Sequence, residues 1–290
     1  MLLDNKKITI NGGLIKTARL KDEWYEDIED PAPLINEIKR SKYKPDIFTF
    51  WQRLPETTPK YNYYSEWESI AVIPIKDYDY WWKKQINAKT RNMVRKADKK
   101  GVKIKLADFN DEFVKGMRNI FNESPIRQGK PFWHYGKNLE TLKKEFSRNL
   151  HREDILGAYF NDELIGYIML AYAGKFAMTT QIVSMIKHRD KAPNNALLAE
   201  AIKICDKKKL PYLVYAMWVS GTLGKFKRSN GFERIDLPRY YIPLTAKGKI
   251  ALNLHLHHGY VGILPERMLK YLIDVRNWWY AKKNTAKKPK

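Results

Sequence analysis

The stretch from Ile155 to Ile242 constrains the fold more than any other part of the sequence. Its apolar runs at 155–160, 164–172 and 173–185 are separated by short turn-forming pieces, and they predict strands linked by hairpins. A helical pattern begins at Pro193, and the strand-like runs YLVYAM and RYYIPL follow it. Hairpin strands followed by a helix and more strands predict a mixed sheet flanked by helices, of the α/β (α+β) class.

Charge is the second constraint. The 290 residues hold 54 Lys and Arg against 32 Asp and Glu, a formal net charge of +22. So basic a chain suits a polyanionic partner, and charge alone leaves nucleic acid, an anionic membrane face and a phosphorylated substrate open. The single cysteine, Cys205, excludes an internal disulfide and a cysteine-rich metal site, and we expect it to be a buried structural thiol.

Basic residues are densest between Lys83 and Lys105, where ten Lys or Arg accompany one acid, Asp98. The pattern over residues 77–100 predicts one amphipathic helix, with Asp77 as its N-cap and Gly101 as its C-terminal stop. Part of this density is explained by a solvated face, but we favour a binding face in which Arg91 and Arg95 contact substrate.

A loop marked by Pro and Gly separates two helical patterns at 111–123 and 138–150. Arg127 and Gln128 are suited to carboxylate, phosphate or sugar recognition, and Tyr135 and Lys137 are further substrate contacts. His134 is either a general base or a hydrogen-bonded structural residue.

Asn194 and Asn195 lie at the start of the central helix, where capping is their first role and phosphate binding their second. The HLHH run (His255, His257 and His258) has no cysteine or carboxylate nearby in sequence, so we expect no metal.

The C-terminal section carries a helical pattern at 266–283 and a basic tail at 284–290. Its Trp278 and Trp279 are consistent with an interfacial anchor or with a helix that caps the fold. The charged N-terminus and the lack of a long apolar run favour a cytoplasmic protein, with peripheral contact at the inner membrane face.

Three motifs together resemble the GNAT acyltransferase superfamily, and more narrowly its FemAB-like branch, which adds aminoacyl groups to peptidoglycan precursors. They are the basic KTRNMVRKADKKGV at 89–102, NESPIRQG at 122–129 and GTLGKFKRSNGF at 221–232. The resemblance covers roughly residues 80–240.

The resemblance implies a GNAT-like acyltransferase domain over 108–243, a partial N-terminal GNAT-like half over 1–107 and a C-terminal helical extension over 244–290. It also implies that Lys227 donates to the oxyanion while Phe226 holds the lysine stem in a dry site. Lys225 and Arg228 are then either contacts for the anionic donor or solvated charges.

Enzymes of this fold that use acetyl-CoA have a Gly-rich turn before the central helix, and HRDKAPNNALL lacks both glycines. We therefore expect an aminoacyl-tRNA donor, no permanently bound cofactor, and an amine acceptor on an anionic cell-envelope precursor. Two alternatives are an acyl-CoA-dependent N-acyltransferase of surface-polysaccharide synthesis, and a basic scaffold without activity that binds RNA or anionic lipid.

Overall fold

The computed structural model describes residues 2–3, 6–258, 268, 271, 275–276 and 278–279. Its strands are β1 (Leu2–Leu3), β2 (Lys6–Asn11), β3 (Thr17–Leu20), β4 (Ile47–Trp51), β5 (Tyr64–Pro74), β6 (Lys103–Leu106), β7 (Ile126–Arg127), β8 (Lys130–Pro131), β9 (Glu153–Phe160), β10 (Glu163–Ala173), β11 (Phe176–Ser184), β12 (Tyr212–Met217) and β13 (Glu233–Pro243). Its α-helices are α1 (Pro31–Arg40), α2 (Tyr78–Tyr80), α3 (Ala88–Lys99), α4 (Asp111–Asn122), α5 (Leu139–Phe146), α6 (Pro193–Lys207), α7 (Gly221–Ser229) and α8 (Ala246–Asn253).

The chain divides into two compact units. The first takes residues up to Ser69 and from Ile235 to 273, and the second takes residues 70–234 and the chain beyond 273. The chain passes from one unit to the other inside β5 and returns inside β13. The predicted division into 1–107, 108–243 and 244–290 places its boundaries elsewhere, and it stays a prediction.

The first unit has a mixed sheet in the order β1-β2-β3-β4-β13. Strand β3 runs parallel to β4, and the connection between them contains α1. Helix α1 begins at Pro31, where the Asp30 side chain accepts a hydrogen bond from the Ala32 amide. Its apolar face joins Phe48, Phe50 and Tyr240 in a continuous core.

The second unit has a mixed sheet in the order β5-β12-β11-β10-β9-β6, in which only β11 and β12 pair in parallel. The predicted hairpins are present as β9, β10 and β11, and their near-continuous apolar runs are buried in one core. Helix α4 packs on β10, and α6 packs on β9, β10 and α3. The mixed sheet flanked by helices is therefore confirmed in each unit.

The prediction of one helix over residues 77–100 is wrong. Asp77 does cap the first turn by accepting from the Tyr80 amide, but a π-helical turn follows at Trp81–Gln85. Ile86 is extended, and the Asn87 side chain accepts from the Thr90 amide and so starts α3. The apolar spacing continues through this break because Trp81, Ile86 and Ala97 all enter the same core.

Most of the predicted C-terminal helix at 266–283, and all of the basic tail at 284–290, lie outside the described residues. Six residues within that helix are described, and all six are helical and exposed: Met268, Tyr271, Val275, Arg276, Trp278 and Trp279. No helix within the described residues is long and apolar enough to cross a bilayer.

Candidate functional site

Strands β11 and β12 part in the second unit. Their parallel pairing joins Phe176 to Tyr212 and Met178 to Val214, and no later pair follows although both strands continue. An irregularity between Val214 and Met217 in the pairing of β12 with β5 accompanies the parting, and Ala216 takes a positive φ of 46°. The result is an opening between two neighbouring strands.

A cavity of about 760 Å³ occupies this opening. Its walls come from the loop after α4, the end of β11, the start of α6, β12 and α7. They are lined by Arg127, Gln128, Phe132, Gln181, Ile182, Val183, Ser184, Arg189, Ala192, Pro193, Asn194, Asn195, Tyr215, Thr222, Leu223 and Phe226. A cleft that mixes apolar walls with a few polar groups is the usual form of a small-molecule site.

Lys227 is buried, with 1% of its surface exposed, and it does not itself line the cavity, whereas Phe226 and Tyr215 do. Its Nζ donates to the carbonyl oxygens of Tyr215 at 2.6 Å and Met217 at 2.7 Å, and it lies 4.3 Å from the centre of the Tyr215 ring. The turned backbone at Ala216 brings both carbonyls to one ammonium. An ammonium has three N–H donors, and the backbone occupies two of them.

Burial lowers the pKa of the Lys227 ammonium to about 8. The group is therefore still mostly charged at neutral pH. A fixed cation in a dry wall is the arrangement that stabilises a developing negative charge at low reorganisation cost.

Helix α7 positions this lysine. Gly224 lies against the Val219 carbonyl so closely that an added Cβ would be 2.1 Å from the oxygen, so α7 can fold back here only with glycine. At the other end of α7 the buried Asn230 donates to the Phe226 carbonyl and accepts from Asn195 of α6. The two helices that border the cavity are thus joined by a side-chain hydrogen bond.

The other predicted residues of α7 divide between the cavity and the surface. Phe226 lines the cavity and packs against the core. Lys225 and Arg228 are exposed, and the Arg228 guanidinium lies over the Trp218 ring at 5.8 Å. Neither of these two cations is among the residues that line the cavity.

Arg127 and Gln128 both line the cavity, in different ways. The Arg127 guanidinium donates to the carbonyls of Ser184 and Ile120 and pairs with Glu123, so it clamps the loop to the end of β11. Burial is the main cause that lowers its pKa. Gln128 is exposed and has a φ of 53°, which turns the chain at the cavity rim.

The start of α6 is poorly suited to a diphosphate. Pro193 has no amide hydrogen, and the Asn195 amide donates to the Ala192 carbonyl at 3.1 Å. Neither asparagine caps the helix, because no side-chain cap bond is made there. Asn194 lines the cavity, and its Oδ1 atom is buried without a hydrogen-bond partner among the described groups.

His134 does not line the cavity. Its ring stacks on Phe121 at 4.7 Å and contacts Phe132 and Phe146, and burial lowers its pKa to about 4. The ring is therefore neutral at pH 7. Lys137 is held by the Glu145 carboxylate at 2.7 Å, and Tyr135 is half-buried in the same loop; neither of them lines the cavity.

Eight of the ten cations between Lys83 and Lys105 are exposed: Lys83, Lys84, Lys89, Arg95, Lys99, Lys100, Lys103 and Lys105. Arg95 lies over the Trp82 ring at 5.4 Å. Arg91 is half-buried and donates to the carbonyls of Trp82 and Ile86, so it closes the break before α3. The exposed cations therefore form a basic face, whereas Arg91 is a structural residue that hydrogen-bonds to the backbone.

Sequence reasoning missed Arg189, Tyr215 and Thr222, all of which line the cavity. Arg189 is exposed in the 3₁₀ turn just before α6, and this charge beside a helix start was the signal available in the sequence. The roles of Tyr215 and Thr222 depend on the parting of β11 and β12, which has no local sequence signal.

Comparison with known proteins bears on the fold. No protein-family model matches the chain, and no curated protein matches it. FemX matches with a TM-score of 0.57 at 10% identity, covering 86% of each chain. The C-terminal DUF2156 domain of a protein described as a lysylphosphatidylglycerol synthetase from Agrobacterium fabrum matches at 0.56 and 11% identity, covering 84% of this chain and 83% of that one. L-PGS from Bacillus licheniformis matches at 0.55 and 14% identity, covering 81% and 80%.

The fold is a FemAB-like GNAT fold. The resemblance stated from the three sequence motifs is thereby confirmed at the level of fold. At 10–14% identity these likenesses concern the fold alone.

Proposed function

We propose that the protein is an enzyme that transfers an aminoacyl group from aminoacyl-tRNA to an amine of an anionic cell-envelope acceptor. The observation that carries the proposal is the buried Lys227 ammonium, held by the Tyr215 and Met217 carbonyls where β11 and β12 part. Among the described residues this cation has no carboxylate partner, and such a buried charge is costly unless a negative charge develops near it.

The reaction needs few protein groups. The acceptor amine attacks the donor carbonyl, and the third N–H of Lys227 donates to the oxyanion of the tetrahedral intermediate. A C–N bond forms, the ester C–O bond breaks, and the proton of the amine goes to the departing ribose oxygen. Phe226 and Tyr215 exclude water from the cavity wall, which strengthens the hydrogen bond to the oxyanion.

Two features support aminoacyl-tRNA as the donor. The exposed cations between Lys83 and Lys105 form a face suited to a phosphate backbone. The start of α6, with Pro193 first and the Asn195 amide already bonded, offers few amides to the diphosphate of coenzyme A. We therefore expect acetyl-CoA to leave the thermal unfolding midpoint unchanged, and total charged tRNA to raise it.

The test is transfer from total tRNA charged with ¹⁴C-labelled amino acids, with UDP-linked peptidoglycan precursors that carry a free amine as acceptors. Lys227→Met removes the oxyanion donor and is expected to lower kcat by about 10²–10³-fold. Lys175→Met, in the exposed β10–β11 turn, removes the same charge and is expected to keep the wild-type rate.

Thermal unfolding of both variants shows whether they are folded. If folded Lys227→Met transfers as fast as Lys175→Met, the role of Lys227 is wrong. Acyl-CoA N-acyltransfer is the better description if acetyl-CoA stabilises the protein and supports turnover. If charged tRNA binds but no donor supports transfer to any acceptor, the protein is a binding scaffold.

A further inference from the structure

A cluster of two histidines and one glutamate lies in the first unit, and none of its residues lines the cleft. His257 and His258, in the turn after α8, reach the Glu66 carboxylate of β5. The His257 Nε2 is 2.9 Å from one carboxylate oxygen, and the His258 Nε2 is 2.7 Å from the other. One ligand atom from each residue lies within 4.8 Å of the others.

We propose that Glu66, His257 and His258 form a binding site for a divalent transition metal ion, zinc above all. Two imidazoles and one carboxylate are a ligand set that zinc takes in proteins. Sequence reasoning expected no metal because no carboxylate is near HLHH in the chain; the fold supplies one from a residue about 190 positions earlier.

The surroundings fit a metal ligand set. The Tyr64 hydroxyl donates to Glu66 at 3.0 Å, so the carboxylate has the outer hydrogen bond that ligating carboxylates usually have. The His257 side chain is 0% exposed, and its Nδ1 is buried without a hydrogen-bond partner among the described groups. A coordinate bond at Nε2 leaves the proton on Nδ1, so the hydrogen bond from Tyr64 is the outer contact that the described residues supply.

The ligand atoms must move apart to admit the ion. Tetrahedral zinc with bonds of about 2.0–2.2 Å separates its ligand atoms by about 3.4 Å. Zinc binding therefore lengthens the two distances between imidazole nitrogen and carboxylate oxygen, and it shortens the longest distance between ligand atoms. His258 is 40% exposed and Glu66 27%, so both can adjust.

An open coordination position is expected on the cavity side. His257 and His258 both line a cavity of about 790 Å³ in this unit, and three protein ligands leave a fourth position for water or another ligand. Arg239 lines the same cavity, but Glu23 and Glu68 pair with it and neutralise its charge.

The test uses the tag-free full chain after dialysis against EDTA. Calorimetric titration with ZnCl₂ is expected to give one site, and CoCl₂ to give the visible absorption of a four-coordinate ion. His258→Ala and Glu66→Gln are expected to weaken zinc binding at least 100-fold, because each removes a direct ligand. His255→Ala is the matched control, since it removes a neighbouring histidine outside the ligand set.

Two results would overturn the site: a wild-type chain that binds no zinc, or a His258→Ala variant that binds it as tightly as His255→Ala. In the first case the carboxylate simply bridges two imidazole N–H groups. The titration needs no acyl donor, so its outcome is independent of the transferase proposal.

Discussion

Lys227 gives acyl transfer a pH dependence of defined sign. Burial lowers the pKa of its ammonium to about 8, and the proposed oxyanion donor is the charged form. We expect kcat to fall as the pH rises through 8, whereas a lysine acting as a base would make kcat rise. Lys227→Arg keeps its charge at every accessible pH and should lose this alkaline decline. Rates measured from pH 6.5 to 9.5 for both proteins check this, and a wild-type rate that climbs across the range contradicts it.

Lys227 also makes the free energy of unfolding depend on pH, and the sign of this dependence is defined. The folded pKa lies below the value of 10.5 for an ordinary lysine, so the unfolded chain holds this proton more tightly. The cost, about 3 kcal/mol, is fully present below pH 8 and disappears as the pH rises towards 10.5. In urea unfolding, the free energy of unfolding of the wild type should therefore rise relative to that of Lys227→Met between pH 8 and 10.5. An unchanged difference between the two proteins over that interval would argue against a buried ammonium.

At the scale of elements, the break before α3 connects the basic segment to the cavity. The Trp81 indole N–H donates to the Asn230 carbonyl at 3.0 Å, and the Thr90 hydroxyl donates to the Ser229 carbonyl at 2.7 Å. Both acceptors lie at the end of α7, two or three residues from Lys227. A straight helix over 77–100 would not turn both side chains to this point. The interruption therefore positions the proposed oxyanion donor.

Trp81→Phe tests that connection. It leaves the Asn230 carbonyl buried without its donor, which costs about 1–3 kcal/mol in the free energy of unfolding. Trp67→Phe is the matched control, because Trp67 is 57% exposed. Urea denaturation of the two variants gives the difference. Equal losses would show that the Trp81 hydrogen bond contributes nothing measurable.

Local sequence patterns predicted the individual helices and strands better than they predicted the contacts between them. Apolar runs separated by short turn-forming pieces identified β9, β10 and β11, and Asp77 and Gly101 were recognised as helix ends because capping is a local property. The π-helical turn at Trp81–Gln85 went unpredicted, since the same apolar spacing suits an unbroken helix. Tertiary hydrogen bonds to α7 decide between the two.

At the scale of the whole molecule, contacts between distant residues set the limit of sequence reasoning. The FK pair at 226–227 pointed to α7, but the parting of β11 from β12 and the reach of Glu66 to His257 involve residues far apart in the chain. Each compact unit is likewise assembled from separate stretches of sequence, which no composition shift marks. Net charge is the opposite case, because +22 is read directly from the sequence and only its distribution needs a fold.

The distribution of positive charge between the basic segment and the first unit can be tested by mutation. Replacing Lys89, Lys99 and Lys100 with Gln removes three exposed charges from the basic segment, whereas replacing Lys21, Lys39 and Lys42 removes three exposed charges from the first unit. Both variants have the same net charge. If the basic segment contacts the tRNA backbone, the first variant alone should bind tRNA more weakly, and its slope of log K against log salt should fall by about 2–3.

Filter binding of total tRNA between 50 and 300 mM KCl, roughly the range in which counterion release is measured, gives both slopes. Equal slopes for the two variants would mean that tRNA responds to the overall charge of the chain and not to a built surface. The donor would then have to be recognised elsewhere, because a general positive field raises the encounter rate without fixing where the aminoacyl end is placed.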